Sequence, residues 1–211
     1  MADWSARAEA YRNAPEQREG EDLDLIVRWA EGAVTALDVA TGGGHVARRL
    51  REAGLRVVSA DPAPGMRPDV ICLAEDLPFA DDAFDVVVTR IAPHHFEDIA
   101  GAIAEIARVS ADLVLVEDTL YVDERVEEAE RLRDPTHVRS YTEEEWRAML
   151  EAAGLEVEQV ERFEKRHALE EWLDRSETPE NDRRRVCELL GDRIDGDDYV
   201  DVKLALKARK R

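Results

Sequence analysis

The chain is poor in the residues that build disulfide-bonded or metal-bound folds. It has only two cysteines, Cys72 and Cys187, and they form no CxxC pair and no Cys/His spacing. The sequence therefore gives no indication of a disulfide scaffold, a zinc site or a dithiol redox centre. We expect both cysteines to be reduced thiols in the core, and we predict no metal site.

Long apolar runs and an excess of positive charge are also missing. No segment reaches the roughly 18 apolar residues that a membrane span needs, and the first residues, MADWSARAEAYR, are charged every few positions. We expect a soluble, cytoplasmic protein that does not bind membranes. With 49 acidic residues against 29 basic ones, the net charge of −20 repels the phosphates of nucleic acids. This composition suits a salt-adapted surface or the ion-pair networks of a thermophile, and it does not choose between them.

Strand and helix patterns alternate along most of the chain. Short apolar stretches such as TALDVA, VVSAD, FDVVVTR and LVLVED alternate with amphipathic segments such as HVARRLREAG. This alternation predicts a doubly wound α/β fold, in which helices cover both faces of a mostly parallel, Rossmann-like sheet of seven strands. The last segment, YVDVKLALK, alternates apolar and polar residues, as a strand near the edge of a sheet does.

The length of 211 residues favours one domain over residues 1–211. Residues 1–31 are expected to form a helical cap, and residues 119–141 a charged insertion of helix and loop. Thr142 and Glu145 have the spacing of a capping box, which predicts that a helix begins directly after the insertion.

Three consecutive glycines, Gly42–Gly44, fall between the first strand and the helix that follows it. In an open α/β sheet this turn lies at the carboxyl ends of the strands, where ligands bind, and glycine lets the backbone approach a ligand closely. The segment GGGHVA fits the GxGxxA fingerprint, and Asp61 ends the second strand, where a carboxylate would accept hydrogen bonds from a ribose. These features alone suit a nicotinamide-dependent dehydrogenase or a methyltransferase.

Four segments occur in a characteristic order over roughly residues 20–165: LDVATGGGHVA, VVSADPAPGM, AEDLPFADDAFDVVVTR and APHHFEDIAGAIAEIARV. In these segments the chain resembles the class I S-adenosylmethionine-dependent methyltransferases. It is most similar to the small-molecule group that includes the ubiquinone and menaquinone methyltransferases. The resemblance implies the class I methyltransferase fold, S-adenosylmethionine as cofactor and S-adenosylhomocysteine as product.

The resemblance also implies a set of residues around the cofactor. Asp38, Arg90 and the glycine loop would surround its methionine portion, and Asp61 would accept from both ribose hydroxyls. The residues implied to bind the cofactor are Asp38, Ala40, Gly42, Gly43, Gly44, Asp61, Met66, Ala74, Glu75, Asp76 and Arg90. Two positions depart from the family pattern: Ala40 stands where many members have a glycine, and Leu73 where Asp or Asn is frequent.

Methyl transfer from a sulfonium is an in-line displacement, so a base is needed only when the acceptor must lose a proton. His94 or His95, which follow the fourth strand, would serve as that base, because imidazole titrates near neutrality. His137 in the insertion, near Arg139 and Tyr141, is a further catalytic candidate. A structural role for each histidine is the alternative.

We expect the acceptor to be a small organic molecule that is methylated on oxygen, carbon or nitrogen, in a largely apolar pocket. Glu117 and Asp118, at the end of the fifth strand, would touch the acceptor or a base, or cap a loop. Trp146 and Trp172 are expected to be core residues. The alternatives are a nicotinamide-dependent oxidoreductase and a non-catalytic S-adenosylmethionine-binding protein, and the expected assembly is a monomer or a homodimer.

Overall fold

The computed structural model describes residues 4–13 and 18–211, which form alternating helices and strands around one sheet. The strands are β1 (Thr35–Val39), β2 (Arg56–Asp61), β3 (Val70–Ile71), β4 (Phe84–Arg90), β5 (Ser110–Thr119), β6 (Leu155–Ala168), β7 (Ile194–Asp195) and β8 (Asp198–Lys210). The helices are α1 (Trp4–Asn13), α2 (Glu21–Trp29), α3 (His45–Glu52), α4 (Ile99–Val109), α5 (Glu124–Arg133), α6 (Glu143–Ala152), α7 (Leu169–Arg175) and α8 (Glu180–Leu190).

The sheet has the strand order β3-β2-β1-β4-β5-β8-β6, and the short β7 pairs with β8 outside this path. Neighbouring strands from β3 to β5 are parallel, whereas β8 runs antiparallel to both β5 and β6. The predicted mostly parallel, doubly wound sheet of seven main strands is confirmed. The order of the strands reverses between β1 and β4, which is where open α/β sheets bind ligands.

Alternate residues of each central strand pack on opposite faces of the sheet. Leu37 and Val87 contact the cluster under α4 and α6, whereas Ala36 and Val86 contact the cluster under α2 and α3. This two-sided burial explains why the strands are almost continuously apolar in the sequence. Trp146 is fully buried, as expected for a core residue.

The last strand lies near the edge of the sheet, as expected, but it is not the edge strand itself. β8 lies between β5 and β6 and pairs with both along most of its length. Its alternating polar residues include Asp201 and Lys203, which are each 3% exposed and form an ion pair with one another. A buried pair of opposite charges therefore produced the polar alternation that is typical of an edge strand.

The two peripheral segments contain the predicted elements. The N-terminal segment holds α1 and α2, while residues 1–3 and 14–17 lie outside the described residues. The insertion forms α5 and a loop, and a bridge between Leu120 and Tyr141 joins its two ends. The capping box of Thr142 and Glu145 is present at the start of α6.

The described residues include both cysteines and all the helices named above. Cys72 and Cys187 are free thiols, as expected, but both are only partly buried. In that part of the chain, no helix has the length and apolarity that crossing a bilayer requires.

Candidate functional site

Backbone conformation favours glycine at two positions of the glycine loop, and a close contact requires it at the third. Gly42 and Gly44 have φ of +50° and +76°, in the left-handed region that side chains disfavour, and open space lies where their Cβ atoms would be. A Cβ on Gly43 would lie 2.9 Å from the backbone oxygen of Tyr11 in α1. The loop is therefore shaped both for a tight turn and for the approach of the N-terminal helix.

Ala40 begins this loop with φ of +54°, which is unfavourable for a residue with a Cβ. This conformation explains why glycine is frequent at this position in the class of proteins that the chain resembles. Ile91, directly after β4, has φ of +50° and is a stronger outlier, because its side chain is β-branched. Both strained residues follow strands at the ligand-binding edge of the sheet.

Asp38 is 1% exposed and connects β1 to the start of α3. Its Oδ2 accepts hydrogen bonds from Thr41 Oγ1 at 2.5 Å and from the backbone N–H of Ala47 at 3.0 Å. Burial raises the pKa of Asp38 to about 6, against the opposing effect of these bonds. The structure thus gives Asp38 a role in shaping the loop, and its contact with a cofactor stays a prediction.

Asp61 ends β2 and is 6% exposed. Its two oxygens accept from the backbone N–H groups of Gly42 and Ala63, each at 2.9 Å, and burial raises its pKa. A carboxylate has about four lone pairs for hydrogen bonding, so these contacts leave acceptor capacity for two hydroxyl groups. Asp61 and the adjacent glycine loop therefore fit the ribose of a nucleoside cofactor.

Helix α1 covers the turn that follows β2. The backbone N–H of Gly65 donates to Ser5 Oγ at 3.0 Å, and the Gly65 oxygen accepts from Arg12 at 2.6 Å. Met66 is buried here in a small cluster with Ala8. The predicted adenine neighbour Met66 thus lies under α1.

The remaining residues predicted at the adenine edge lie in the turn after β3. Ala74 is buried in the core, Glu75 is partly buried and Asp76 is exposed. Leu73, which departs from the family pattern, is 47% exposed. The structure thus puts these residues one strand beyond Asp61, and their contact with a cofactor stays a prediction.

The Arg90 side chain lies in a buried charge network on the face of the sheet that α2 covers. Its Nε lies 2.9 Å from Glu117 Oε2 and 3.0 Å from Asp22 Oδ2, and Lys165 also contacts Asp22 at 3.0 Å. Burial raises the pKa of Glu117 to about 7, against the opposing charge of Arg90. Although burial opposes it, the charge of Arg90 holds the pKa of Asp22 below its ordinary value. Arg90 thus holds β4, β5 and α2 together.

The three predicted catalytic histidines lie together, although they come from two separate segments. His94 and His95 lie in the turn after β4, and His137 lies in the insertion. The ring centre of His94 is 4.1 Å from that of His95 and 5.4 Å from that of His137. The backbone oxygen of His94 accepts from the N–H of Val138 at 2.9 Å, which fixes the insertion against the turn.

His94 forms two hydrogen bonds with Asp118 near the end of β5. The ring Nδ1 lies 2.5 Å from Asp118 Oδ1, and the backbone N–H donates to Oδ2 at 2.8 Å. Burial lowers the pKa of His94 well below its ordinary value, and His137 adds to this effect. Burial raises the pKa of Asp118 to about 7, against the opposing charge of Lys203. The pair therefore holds a neutral imidazole in a fixed orientation.

The other two histidines have partners of their own. His95 Nδ1 lies 3.0 Å from the backbone oxygen of Thr136, and burial together with His94 lowers the His95 pKa to about 3. His137 Nε2 lies 3.0 Å from Glu127 Oε1. His94 is therefore the histidine whose carboxylate partner comes from the neighbouring strand of the sheet.

A cavity of about 40 Å³ lies beside His94 and His95, between the carboxyl ends of the strands and the helices that follow β5. Only a minority of its lining is apolar, namely Ile91 and the aromatic rings of Tyr11 and Trp172. Its other charged or imidazole side chains are Glu130, Arg133, His167, Arg175, Asp201 and Lys203. The expectation of a largely apolar pocket is wrong for this cavity, and Trp172 both packs in the core and lines it.

Comparison with known proteins agrees with this geometry. The model of the family described as a methyltransferase domain matches residues 1–160, which is most of the chain. The chain belongs to the methyltransferase family.

One methyltransferase relative matches over nearly its whole length. The uncharacterized methyltransferase YcgJ of Bacillus subtilis (strain 168) is 31% identical over 208 residues, covering 87% of this chain and 82% of the relative. The crystal structure of YcgJ superposes with a TM-score of 0.81 and 26% identity, over 90% of this chain and 97% of that one. The class I methyltransferase fold is thus shown.

The similarity to quinone methyltransferases is more limited. The demethylmenaquinone methyltransferase of Renibacterium salmoninarum is 38% identical over 94 residues, which is 38% of this chain and 40% of the relative. This match covers less than half of either chain. The match therefore supports the shared methyltransferase segments and says nothing about the acceptor of this methyltransferase.

Sequence reasoning missed the part of the candidate site that comes from the C-terminal half. His167 at the end of β6 and Asp201 and Lys203 in β8 all line the cavity. The one available signal was the pair of opposite charges within the apolar alternation of β8. It could not be interpreted without knowing that β8 lies inside the sheet.

Proposed function

We propose that this methyltransferase transfers a methyl group from S-adenosylmethionine to a small acceptor bound in the cavity beside His94. The observation that carries the proposal is that His94, which lines the cavity, is hydrogen-bonded to Asp118 behind it. This pair lies at the same edge of the sheet as the glycine loop and Asp61, where open α/β sheets bind their ligands.

The glycine loop and Asp61 would hold the cofactor. The loop offers glycine backbone without side chains, and Asp61 offers acceptor capacity at the end of β2. When bound, S-adenosylmethionine supplies a methyl group on a sulfonium, which is already an activated leaving group. The chain's own residues then need mainly to hold the acceptor in line with that methyl group.

His94 would take the proton from an acceptor that must lose one. We assign His94 the tautomer in which Nδ1 donates to the Asp118 carboxylate, so the lone pair of the neutral ring is on Nε2, and the acceptor proton would move to that atom. A low pKa keeps the ring in the neutral form that a base requires. Asp118 would hold the ring in this tautomer and stabilise the charge that it gains.

The first experiment titrates the purified protein by calorimetry with S-adenosylmethionine, S-adenosylhomocysteine and NADH in parallel. We expect binding of the first two compounds and none of NADH. Binding of NADH alone would overturn the proposal in favour of an oxidoreductase. Failure of all three would leave a protein with the fold but without this cofactor.

The second experiment screens small acceptors for formation of S-adenosylhomocysteine and then compares two variants with the most active acceptor. His94→Gln is expected to lower kcat by about 10²- to 10⁴-fold, the usual contribution of a general base. His95→Gln provides a matched control in the same turn and is expected to retain more activity. Equal losses in the two variants would remove the assignment of His94 as base.

The choice between monomer and homodimer and the cytoplasmic location stay predictions. They do not enter the argument for the activity.

A further inference from the structure

The cavity beside His94 is lined by several N–H donors, including Lys203 and Arg133. Lys203 has three N–H groups. Among the described residues they have two partners, Thr119 Oγ1 at 2.6 Å and the carboxylate of Asp201. Arg133 has five N–H groups, and within the described residues two of them donate, to Glu130 Oε2 at 2.9 Å and to the backbone oxygen of Trp172 at 3.4 Å. Donor capacity is therefore left over at the cavity.

His167 is the clearest sign that a polar group belongs there. Its side chain is 5% exposed and lines the cavity. Neither ring nitrogen has a hydrogen-bond partner within the part of the chain that the structure describes, and the carboxylate of Asp201 stays 3.8 Å away. Leaving a buried polar atom unpaired costs about 1–3 kcal/mol. A ligand or water that forms hydrogen bonds with the His167 ring would therefore stabilise the protein.

The acidic residues of the cavity already have basic partners. Glu130 pairs with Arg133 at 2.9 Å, and Asp201 pairs with Lys203. A cationic amine would therefore have to compete with these internal pairs, whereas an oxyanion would meet the donors that remain. A long apolar tail would meet charged and imidazole groups over most of the lining.

We propose that the methyl acceptor carries a carboxylate, which binds in this cavity against Lys203, Arg133 and His167. The proposal rests on the proposed methyltransferase function, because it places the nucleophilic atom of the same molecule beside His94. A volume of about 40 Å³ suits the carboxylate end of a small molecule. A carboxylate group has three heavy atoms and occupies little more space than a few water molecules.

The test uses the full chain saturated with S-adenosylhomocysteine, and calorimetric titration with matched pairs of small probes. Each pair is a carboxylate and its neutral amide: acetate with acetamide, glycolate with glycolamide, and benzoate with benzamide. Ethylamine and benzylamine are the cationic comparisons. We expect at least one carboxylate to bind at least tenfold more tightly than its amide and than the amines. Equal binding within every pair, preference for the amines, or no binding of any carboxylate would overturn the proposal.

His167→Phe separates a binding role from a structural one. Phenylalanine removes the two unpaired nitrogens and keeps a similar ring, so we expect this variant to have a higher Tm than the native protein but to bind the carboxylate more than tenfold more weakly. A variant that loses stability and keeps carboxylate affinity would contradict the proposal.

Tyr199→Phe is the matched control. Tyr199 is fully buried, and its hydroxyl also has no partner among the described residues, but it does not line the cavity. The Tyr199→Phe variant should be more stable than the native protein and should bind carboxylates with unchanged affinity. An equal loss of affinity in the two variants would show that the effect is not specific to the cavity.

The outcomes also separate this proposal from the proposed function. If S-adenosylhomocysteine binds but the carboxylates do not, only the acceptor class is wrong. If S-adenosylhomocysteine does not bind, the methyltransferase activity itself loses its support.

Discussion

Two hydrogen bonds join His94 and Asp118, one at the ring Nδ1 and one from the backbone N–H of the same histidine. The ring Nδ1 lies 2.5 Å from Oδ1, and the backbone N–H donates to Oδ2 at 2.8 Å. Because the histidine follows β4 and the aspartate lies near the end of β5, the sheet itself sets the position of the ring. The position of the proposed base therefore depends little on the mobility of a loop.

The first prediction is that Asp118 makes the protein less stable as pH rises. In the folded protein burial raises the Asp118 pKa to about 7, whereas an unfolded aspartate titrates at about 4. The folded state therefore holds the proton more firmly between these values, and the free energy of unfolding falls as pH rises from about 4 to 7. At about 1.4 kcal/mol per pKa unit, this contribution is at most about 4 kcal/mol.

Asp118→Asn lacks this titration, so its free energy of unfolding should fall less than that of the native protein between pH 5 and pH 8. Urea unfolding at the two pH values measures the difference. Asp192→Asn removes the same formal charge from an exposed position and controls for net charge. Identical pH dependence in the native protein and Asp118→Asn would refute the assignment of a raised pKa to this carboxyl group.

The second prediction concerns Asp61. Asp61→Asn keeps the size of the side chain but replaces one acceptor oxygen with a donor, so it should weaken binding of S-adenosylhomocysteine by about 1–3 kcal/mol. Calorimetry measures the affinity, and circular dichroism checks the fold. Asp81→Asn, at an exposed carboxylate, is the control. Unchanged affinity in a folded Asp61→Asn variant would remove Asp61 from the cofactor site.

The third prediction tests how closely α1 covers the turn after β2. A Cβ on Gly65 would lie 2.5 Å from Ser5 Cα and 2.8 Å from the Ser5 backbone oxygen, and these backbone atoms cannot move unless α1 moves. Gly65→Ala should therefore increase amide hydrogen exchange throughout residues 4–13.

Ser5→Ala is the matched control, because it removes the hydrogen bond from Gly65 without adding an atom to the contact. Its effect on exchange should be clearly smaller, since one such bond contributes about 0.5–1.5 kcal/mol. Native exchange rates in Gly65→Ala would mean that α1 does not pack on this turn in solution.

The positions of the glycine loop and Asp61 at one edge of the sheet could be predicted from the sequence because the signals are local. Gly42–Gly44 and Asp61 lie at the ends of two apolar strands, and parallel strands bring their carboxyl ends to one edge. The glycine cluster also identified the turn itself, since Gly42 and Gly44 have positive φ. Sequence spacing was sufficient for these residues.

The cavity beside His94 could be predicted only in part, because it depends on contacts between distant segments. The three histidines were candidates by residue type, but their proximity follows from the packing of the insertion on the turn after β4. His167 and Lys203 depend on the position of β8 within the sheet. No local sequence pattern indicates where β8 lies in the sheet.

The burial of Arg90 follows from the period of β4 in the sequence. Val86 and Val88 pack on the face under α2, and Arg90 is the next residue of that period-two series. Its side chain therefore had to point towards α2, where it meets Asp22 and Glu117. The contact of Arg90 with the cofactor, implied by the family resemblance, stays a prediction.

The last prediction follows from this burial. Arg90→Met leaves Asp22 and Glu117 without their shared basic partner, and removing one member of a buried ion pair costs about 3–5 kcal/mol. Arg166→Met, which removes exposed pairs with Asp195 and Asp198, should change stability little. Urea unfolding compares the two variants. Adding Glu117→Gln to Arg90→Met should restore part of the loss, because it removes one unpaired buried carboxylate. If Arg90→Met is no less stable than Arg166→Met but loses affinity for S-adenosylhomocysteine, Arg90 acts on the cofactor rather than between β4, β5 and α2.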